Sequence, residues 1–364
     1  MSRSSSLGRA ETGACMRGDS VMMSAPTRVA SPFQPSKLFA HYDRLIGWLQ
    51  TGKTSAPVTL ELDVTNACNA NCPACSGGRT ARDAAWDISP DGAVWLFRDL
   101  VDAGVRAIQF TGGGEPTLHP NLPEYMYAAR QAGLEVGLNT NGVHLPERTL
   151  DAIVTCCTWV RVSLAPTVEI WHAQTGLPAR VFATVLDNVA RLAARRRSDM
   201  VIGTAILTDA RVMPWLQEGV ETAARAGATY IQFRPFHNDT TPLDRGFYRA
   251  LQRRYADRIA VLAVPSKYGT AAGRTYGACY GHHFTSVVQA DYRFALCCHK
   301  RGEDASTWGD LRRGFGTNWD SAERWQAVET INVQECMPQC RCDGINALLW
   351  DLRQAGGFTH ENFL

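Results

Sequence analysis

The chain has 364 residues, of which 45% are hydrophobic and 20% charged, enough apolar material for one large globular domain or two ordinary ones. Its formal net charge of +2 gives no support to nucleic acid as a partner. No apolar run approaches the ~20 residues that a membrane span needs, so we expect no membrane partner either.

The N-terminal segment is small, polar and proline-bearing, and it lacks the apolar core of a secretion signal. We expect residues 1–35 to be disordered, residues 36–56 to form an N-terminal helix, and the protein to be cytoplasmic. In a reducing cytosol, clustered cysteines favour metal or catalytic sites over disulfides. This matters because most of the 12 cysteines fall into an early and a late group.

Between residues 57 and 236 the sequence alternates strand-like and helix-like segments. The run VTLELDV predicts the first strand, and SPDGAVWLFRDLVDAG predicts a helix with Ser89 as N-cap, Pro90 at its first position and Gly104 at its end. Six strands alternating with helices predict a parallel α/β architecture. The alternation leaves open a doubly wound sheet and a barrel of six repeats. The five later strands are predicted in VRAIQFTGG, LEVGLNTNG, WVRVSLA, MVIGTAILT and TYIQFRPF.

The alternation stops after residue 240. We expect a linker helix over 241–264 and a small cysteine-rich domain over 265–364 that needs metal to hold together. Its first feature is a predicted hairpin in FTSVVQADYRFALCC, which turns at Asp291 and Tyr292.

Three cysteines, Cys68, Cys72 and Cys75, lie in CNANCPAC directly after the first predicted strand. A structural zinc site requires four protein ligands, whereas three thiolates on a [4Fe–4S] cluster leave one iron open for chemistry. A zinc knuckle and three incidental thiols are the alternatives.

This C-x3-C-x2-C loop resembles the signature of the radical S-adenosylmethionine (radical SAM) enzymes. The segment FTGGGEP at 110–116 resembles the G-G-E-P motif of that family, and LNTNG at 138–142 resembles the strand that borders its SAM pocket. The resemblance implies a partial (β/α)6 barrel over residues 57–240. It also implies a [4Fe–4S] cluster on the three cysteines, whose open iron chelates SAM. One electron, from a donor such as flavodoxin or ferredoxin, then yields a 5′-deoxyadenosyl radical that abstracts hydrogen from the substrate.

The same resemblance assigns residues to the SAM pocket. Gly113 and Gly114 allow close backbone approach, and Glu115 supplies an acceptor for the SAM ammonium group. Two departures from the family pattern are Ala74, where an aromatic residue is common, and Ala165, where an acidic one is common. The remaining predicted SAM contacts are Asn139, Asn141, Ser163 and, beside adenine, Phe233.

The late cysteines resemble the cysteine-rich extension called SPASM, or its shorter form, twitch. Their number implies one auxiliary [4Fe–4S] cluster; a zinc ribbon is the structural alternative. Cys298 directly follows Cys297, and we expect it to point the other way on a strand. The predicted auxiliary ligands come from Cys279, Cys297, Cys336, Cys340 and Cys342.

For the substrate, we rank a hydroxylated small molecule first: a sugar, aminocyclitol or nucleoside-type antibiotic intermediate that undergoes dehydrogenation, decarboxylation or elimination. Only about 20 ordered residues are expected before the first strand, too few for a domain that grips a leader peptide. Peptide or protein modification is the alternative, and a structural zinc-binding interaction protein is the alternative from another class. Arg234, His237 and Asp239 are the predicted substrate contacts.

Overall fold

The structure, a computed structural model, describes residues 34–75, 86–237, 239–264, 267–269 and 273–354, without the side chains of residues 90–94. Disorder is expected for residues 1–35, and all of these except Gln34 and Pro35 lie outside the described residues. None of the described helices is long and apolar enough to cross a membrane.

The described strands form one ten-stranded sheet with the order β10-β9-β8-β1-β2-β3-β4-β5-β6-β7. Strands β1 to β7 run parallel in chain order. A doubly wound sheet would reverse its strand order partway, so the sequential order favours the barrel repeat. The strands are β1 Thr59–Asp63, β2 Ala107–Thr111, β3 Glu135–Thr140, β4 Cys157–Leu164, β5 Val201–Thr208, β6 Tyr230–Pro235, β7 Ala260–Leu262, β8 Thr285–Val288, β9 Phe294–Ala295 and β10 Thr307–Trp308.

Helices follow the parallel strands as the alternation predicts. The α2 and α3 helices both end at glycines with left-handed φ, Gly104 at 102° and Gly133 at 101°. Ser89 precedes α2 as predicted, but its side chain makes no cap; its N–H donates instead to the Tyr292 hydroxyl at 2.6 Å. The helices are α1 Tyr42–Thr51, α2 Pro90–Ala103, α3 Leu122–Ala132, α4 Glu147–Cys156, α5 Val168–Thr175, α6 Val181–Arg195, α7 Leu216–Arg225, α8 Arg245–Arg254, α9 Phe315–Trp319, α10 Ala322–Glu329 and α11 Asp343–Gln354.

The part after β6 extends the same sheet on both sides. The expected linker region contains α8 and then β7, which pairs in parallel with β6. The hairpin predicted around Asp291 is present: β8 and β9 pair antiparallel with Val288 opposite Phe294, and Tyr292 adopts a left-handed φ of 68° at the turn. Because β8 also pairs in parallel with β1, the cysteine-rich part lies directly beside the first strand.

The two faces of the parallel sheet differ in chemistry, since successive side chains on a strand point to opposite faces. Ile206 and its register partner Phe233 lie on the helix-covered face, because a Cβ on Gly219 of α7 would lie 2.5 Å from Ile206 Cδ1. Residues of the opposite parity form what we call the polar face: Glu61, Asp63, Asn139, Arg161, Gln232 and Arg234.

Two glycines shape the polar face at the amino-terminal half of the strands. A Cβ on Gly137 would lie 2.4 Å from the Trp159 ring, and one on Gly203 would lie 2.0 Å from the Tyr230 ring. The two aromatic rings therefore occupy the space that side chains at these glycines would fill. Asp63, Asn139, Gln232 and Arg234 lie further along their strands, toward the carboxyl ends, whereas Glu61 and Arg161 are level with the two glycines.

Candidate functional site

The three early cysteines lie on a loop at the carboxyl end of β1, residues 64–75, which we call the cysteine loop. Cys68 and Cys75 are exposed, Cys72 is half-buried, and none of the three forms a disulfide with a described residue. The Ala70 N–H points at Cys68 Sγ, with 3.5 Å between nitrogen and sulfur, and the Cys75 N–H donates to the Cys72 carbonyl at 3.2 Å. The loop thus presents its thiols at the sheet edge where parallel α/β proteins place their chemistry.

The turn after β2, residues 112–116, is fastened to this loop by backbone hydrogen bonds. The Gly114 N–H donates to the Thr65 carbonyl at 3.1 Å, and the Glu115 N–H donates to the Ala67 carbonyl at 2.8 Å. A Cβ on Gly114 would lie 2.1 Å from the Ala67 oxygen, so no other residue fits there without a shift of backbone. The close approach predicted for Gly114 is therefore made to the cysteine loop. The Gly113 N–H lies near the Asp63 carboxylate and favours its ionised form, although burial raises the pKa of Asp63.

Glu115 is buried and joins the ends of β2 and β3. Its Oε1 accepts hydrogen bonds from the Thr117 N–H at 3.2 Å, the Thr117 hydroxyl at 2.7 Å and the Thr140 hydroxyl at 2.6 Å. Its Oε2 accepts one from the Asn141 N–H at 2.7 Å. Burial raises the pKa of this carboxyl group, while the donors around it favour the ionised form. Oε2 retains room for one further donor.

The predicted asparagines have different roles. Asn141 donates to Asn69 of the cysteine loop at 2.6 Å, and the Asn71 N–H donates to the Thr175 carbonyl at 2.8 Å, so the loop is held from two sides. Asn139 lies on the polar face; its amide contacts the Thr111 hydroxyl at 3.4 Å, and its buried Oδ1 has no hydrogen-bond partner among the described residues.

Ser163 and Phe233 lie in contrasting places. Ser163 is exposed near the end of β4, on the same face as Arg161. Phe233 is buried in the hydrophobic core on the helix-covered face. It cannot flank a nucleoside on the polar face, because alternation along β6 turns it away from Gln232 and Arg234. The predicted adenine contact of Phe233 is therefore wrong.

A buried ion network on the polar face was not predicted. Arg301, which follows β9, donates to the Asp63 carboxylate at 2.7 Å and to Glu61 at 2.6 Å. Arg341, between two late cysteines, pairs with the other oxygen of Glu61. The alternating acids in TLELD, inside an otherwise apolar strand, were the available signal.

The structure places the three predicted substrate contacts, Arg234, His237 and Asp239, in different surroundings. Burial and the nearby Arg161 lower the pKa of Arg234 to about 10. The His237 ring lies edge-on to the His299 ring, with 5.3 Å between centroids. Asp239 instead shapes its own turn, accepting the Thr241 N–H at 2.9 Å. Asn238, between them, lies outside the described residues.

The late cysteines surround one buried cavity. Burial raises the pKa of the Cys279 thiol to about 12 and that of Cys297 well above its usual value. Cys298 lines the same cavity, because residues 297 and 298 lie beyond the end of β9; the expectation that Cys298 points away is wrong. The cysteines at this cavity are Cys279, Cys297, Cys298, Cys336, Cys340 and Cys342.

Arg274 fastens the last of these cysteines in place. Its guanidinium donates to the carbonyl groups of Val333, Cys336 at 3.0 Å and Met337 at 2.5 Å. The thiols encircle the cavity without converging on one point: nowhere in the described ranges do three His, Cys, Asp or Glu side chains come close enough together to hold a single metal ion.

Comparison with known proteins agrees with the motifs. The family profile of the radical SAM superfamily matches residues 62–216. The PqqA peptide cyclase of Gluconobacter oxydans is 34% identical over 101 residues, 27% of this chain and 27% of that protein. The mycofactocin maturase MftC of Mycobacterium ulcerans is 30% identical over 191 residues, 51% of this chain and 49% of that protein. The matched segments thus span half or less of these curated relatives.

The fold has solved counterparts. The crystal structure of Streptococcus suis SuiB bound to the precursor peptide SuiA superposes with a TM-score of 0.62, covering 89% of this chain and 80% of SuiB. The sequence identity is 11%, so this likeness shows a shared fold. The coverage of 89% extends beyond the parallel core. The family prediction is confirmed: the chain carries a domain of the radical SAM superfamily over residues 62–216.

Proposed function

We propose that this protein is a radical SAM enzyme that modifies a peptide. The observation that carries the enzymatic part is the cysteine loop, whose three cysteines lie at the carboxyl end of β1 and whose backbone is hydrogen-bonded to the GGGEP turn. Peptide chemistry is supported by similarity to PqqA peptide cyclase and by the shared fold with SuiB, which was crystallised with a precursor peptide. These relatives favour the peptide alternative over the sugar, cyclitol or nucleoside substrate that we ranked first.

The donor set of the loop fits a [4Fe–4S] cluster. Cys68, Cys72 and Cys75 would hold it, and the Ala70 N–H already points at one sulfur, as amides around iron–sulfur clusters do. The chemistry that such a cluster supplies is the reductive cleavage of SAM to a 5′-deoxyadenosyl radical. Glu115 Oε2, with one free acceptor position, would hold the ammonium group of SAM.

The late cysteines would hold an auxiliary [4Fe–4S] cluster. Six thiols line the cavity, two more than one cluster requires. Binding a cluster would release protons from thiols whose pKa values burial has raised. An electron donor of the flavodoxin or ferredoxin kind is the partner this chemistry requires.

The test is iron and acid-labile sulfide on anaerobically reconstituted protein, beside a variant with Cys68, Cys72 and Cys75 changed to Ala. We expect about eight irons to fall to about four, one cluster remaining on the late cysteines. Cys156→Ala, in the hydrophobic core, is the matched control and should retain about eight. Zinc in place of iron would overturn the proposal.

The substrate class is tested separately. Short peptides encoded beside the gene are incubated with the reconstituted enzyme, SAM and dithionite, and analysed by mass spectrometry. A changed peptide mass that depends on SAM supports peptide modification. If SAM is cleaved and a sugar or nucleoside is converted while every peptide stays unchanged, the substrate is a small molecule, and peptide modification is refuted.

A further inference from the structure

Two guanidinium groups on the polar face have no carboxylate partner among the described residues. Arg161 of β4 donates to the Gln232 side chain at 3.1 Å, and no carboxylate in the described part of the chain lies within ion-pair distance of it. Arg234 of β6 makes neither a hydrogen bond nor an ion pair with any described residue. Both side chains are at least half-buried.

The carboxylates on this face are already engaged. Glu61 and Asp63 are paired with Arg301 and Arg341, so they do not neutralise the two other arginines. Burying a cation without a counter-ion is unfavourable. A fold that keeps two such cations on one face of the sheet, with Arg161 bound to Gln232 two residues before Arg234, is therefore suited to bind an anion brought by another molecule.

Other groups near Arg234 add positive charge and hydrogen-bonding capacity to this region. The Lys267 ammonium, whose Nζ contacts the Gln339 carbonyl at 3.4 Å, lies within electrostatic range of Arg234. His299 is also close to Arg234 and Lys267, and its two buried ring nitrogens have no hydrogen-bond partner among the described residues. The region thus offers positive charge and unused hydrogen-bonding groups together.

Building on the proposed function, we propose that Arg161, Arg234 and Lys267 form a subsite for a carboxylate of the substrate, the side chain of an Asp or Glu in the modified peptide. The planar fork of Arg234 matches a carboxylate in bidentate fashion, and Arg161 and Lys267 add charge. An acidic side chain that enters would supply the counter-ion that these cations lack among the described residues.

The carboxylate group of SAM could bind the same three cations in place of a substrate carboxylate. Arg234 lies on β6, and in the sheet order four strands separate β6 from β1, which leads into the cysteine loop where SAM would bind. This separation favours the substrate as the source of the carboxylate.

The experiment uses two matched probes, N-acetyl-glutamate α-amide and its neutral counterpart N-acetyl-glutamine α-amide, titrated calorimetrically into reconstituted protein. We expect the charged probe to bind about tenfold or more tightly than the neutral one. In Arg234→Gln this preference should fall to about one, whereas Arg234→Lys should keep part of it. Arg211→Gln, on an exposed residue paired with Asp209, is the control and should bind as wild type does. Should R234Q not fold, R161Q is expected to show the same loss.

The affinity for SAM is measured on the same proteins. Unchanged SAM affinity in R234Q together with a lost preference for the charged probe supports the subsite. A loss of SAM affinity in R234Q would assign the carboxylate to SAM and overturn the inference, as would equal binding of both probes by wild type. Absence of SAM cleavage by wild type would instead refute the proposed function, whatever the probes show.

Discussion

Glu115 illustrates how a single side chain serves both the fold and the site. Four protein donors converge on its carboxylate, three of them on Oε1. They come from the turn that follows β2 and from the end of β3, so this side chain fixes the distance between two strand ends. The sequence motif predicted a ligand contact for Glu115 and did not reveal this second role.

Changing Glu115 to Gln should therefore affect both stability and SAM binding. The amide NH₂ must face at least one donor, and losing that buried hydrogen bond should lower the free energy of unfolding by ~1–3 kcal/mol. The loss of negative charge should also weaken SAM binding. Urea unfolding and SAM titration measure the two effects, with exposed Glu329→Gln as the control. A stability within ~0.5 kcal/mol of wild type would contradict the bracing role.

His283 should make stability depend on pH. Burial, and then the nearby arginines Arg324 and Arg353, lower its pKa to about 3, whereas an unfolded histidine titrates near 6.5. Between these values the unfolded state binds the extra proton, so stability falls as the pH falls from about 6.5 toward about 3.

The slope from one such histidine is up to ~1.4 kcal/mol per pH unit. His283→Asn should remove about that much of the wild-type slope between pH 6.0 and 4.5, as measured by urea unfolding at several pH values. His144→Asn, at an exposed histidine, is measured beside it as the control for a generic histidine substitution. Equal slopes in H283N and wild type would show that His283 is not held neutral.

At the scale of elements, the cysteine loop and the GGGEP turn act as one unit. Two backbone hydrogen bonds join them, and the Gly114 Cα stands where any Cβ would meet the Ala67 oxygen. The positions of the thiols thus depend on a glycine that follows a different strand.

Gly114→Ala should force the cysteine loop and the GGGEP turn apart. The added methyl group forces backbone atoms apart, so we expect a loss of ~2 kcal/mol or more of stability and a cluster content on the early cysteines reduced to less than half. Gly47→Ala is the matched control, because nothing lies within 4 Å of a Cβ there and α1 should be unaffected or slightly stabilised. Iron analysis and urea unfolding report both effects, and full iron content in G114A would refute the steric argument.

The elements that sequence could predict were those with local signals. Helix ends at Gly104 and Gly133, the six parallel strands and the turn at Tyr292 each follow from periodicity or turn chemistry. Phe233 failed for a reason also present in the sequence: it alternates with Arg234 on one strand, so the two cannot both line one face. Arg301 and Arg341 could not be matched to Glu61 and Asp63, because those pairs depend on β8 lying beside β1.

At the scale of the whole molecule, the two cysteine groups are connected through β1. Its acids, Glu61 and Asp63, precede the cysteine loop, and both are bound by arginines that adjoin late cysteines. The hairpin strand β8 adds a second connection by pairing with β1. The cysteine-rich part therefore supports the first strand of the barrel directly.

Arg301→Met tests this connection, because it leaves two buried carboxylates without a shared counter-ion. We expect a loss of ~3–5 kcal/mol in the free energy of unfolding. Iron should also be lost from the early cysteines, since Asp63 leads into their loop; this is read in a variant whose late cysteines are changed to Ala. Arg312→Met, at an exposed arginine paired with half-buried Asp310, is the control and should cost less than ~1 kcal/mol. If R301M instead costs as little as R312M, the buried ion network does not hold the two parts together, and β8 alone must do so.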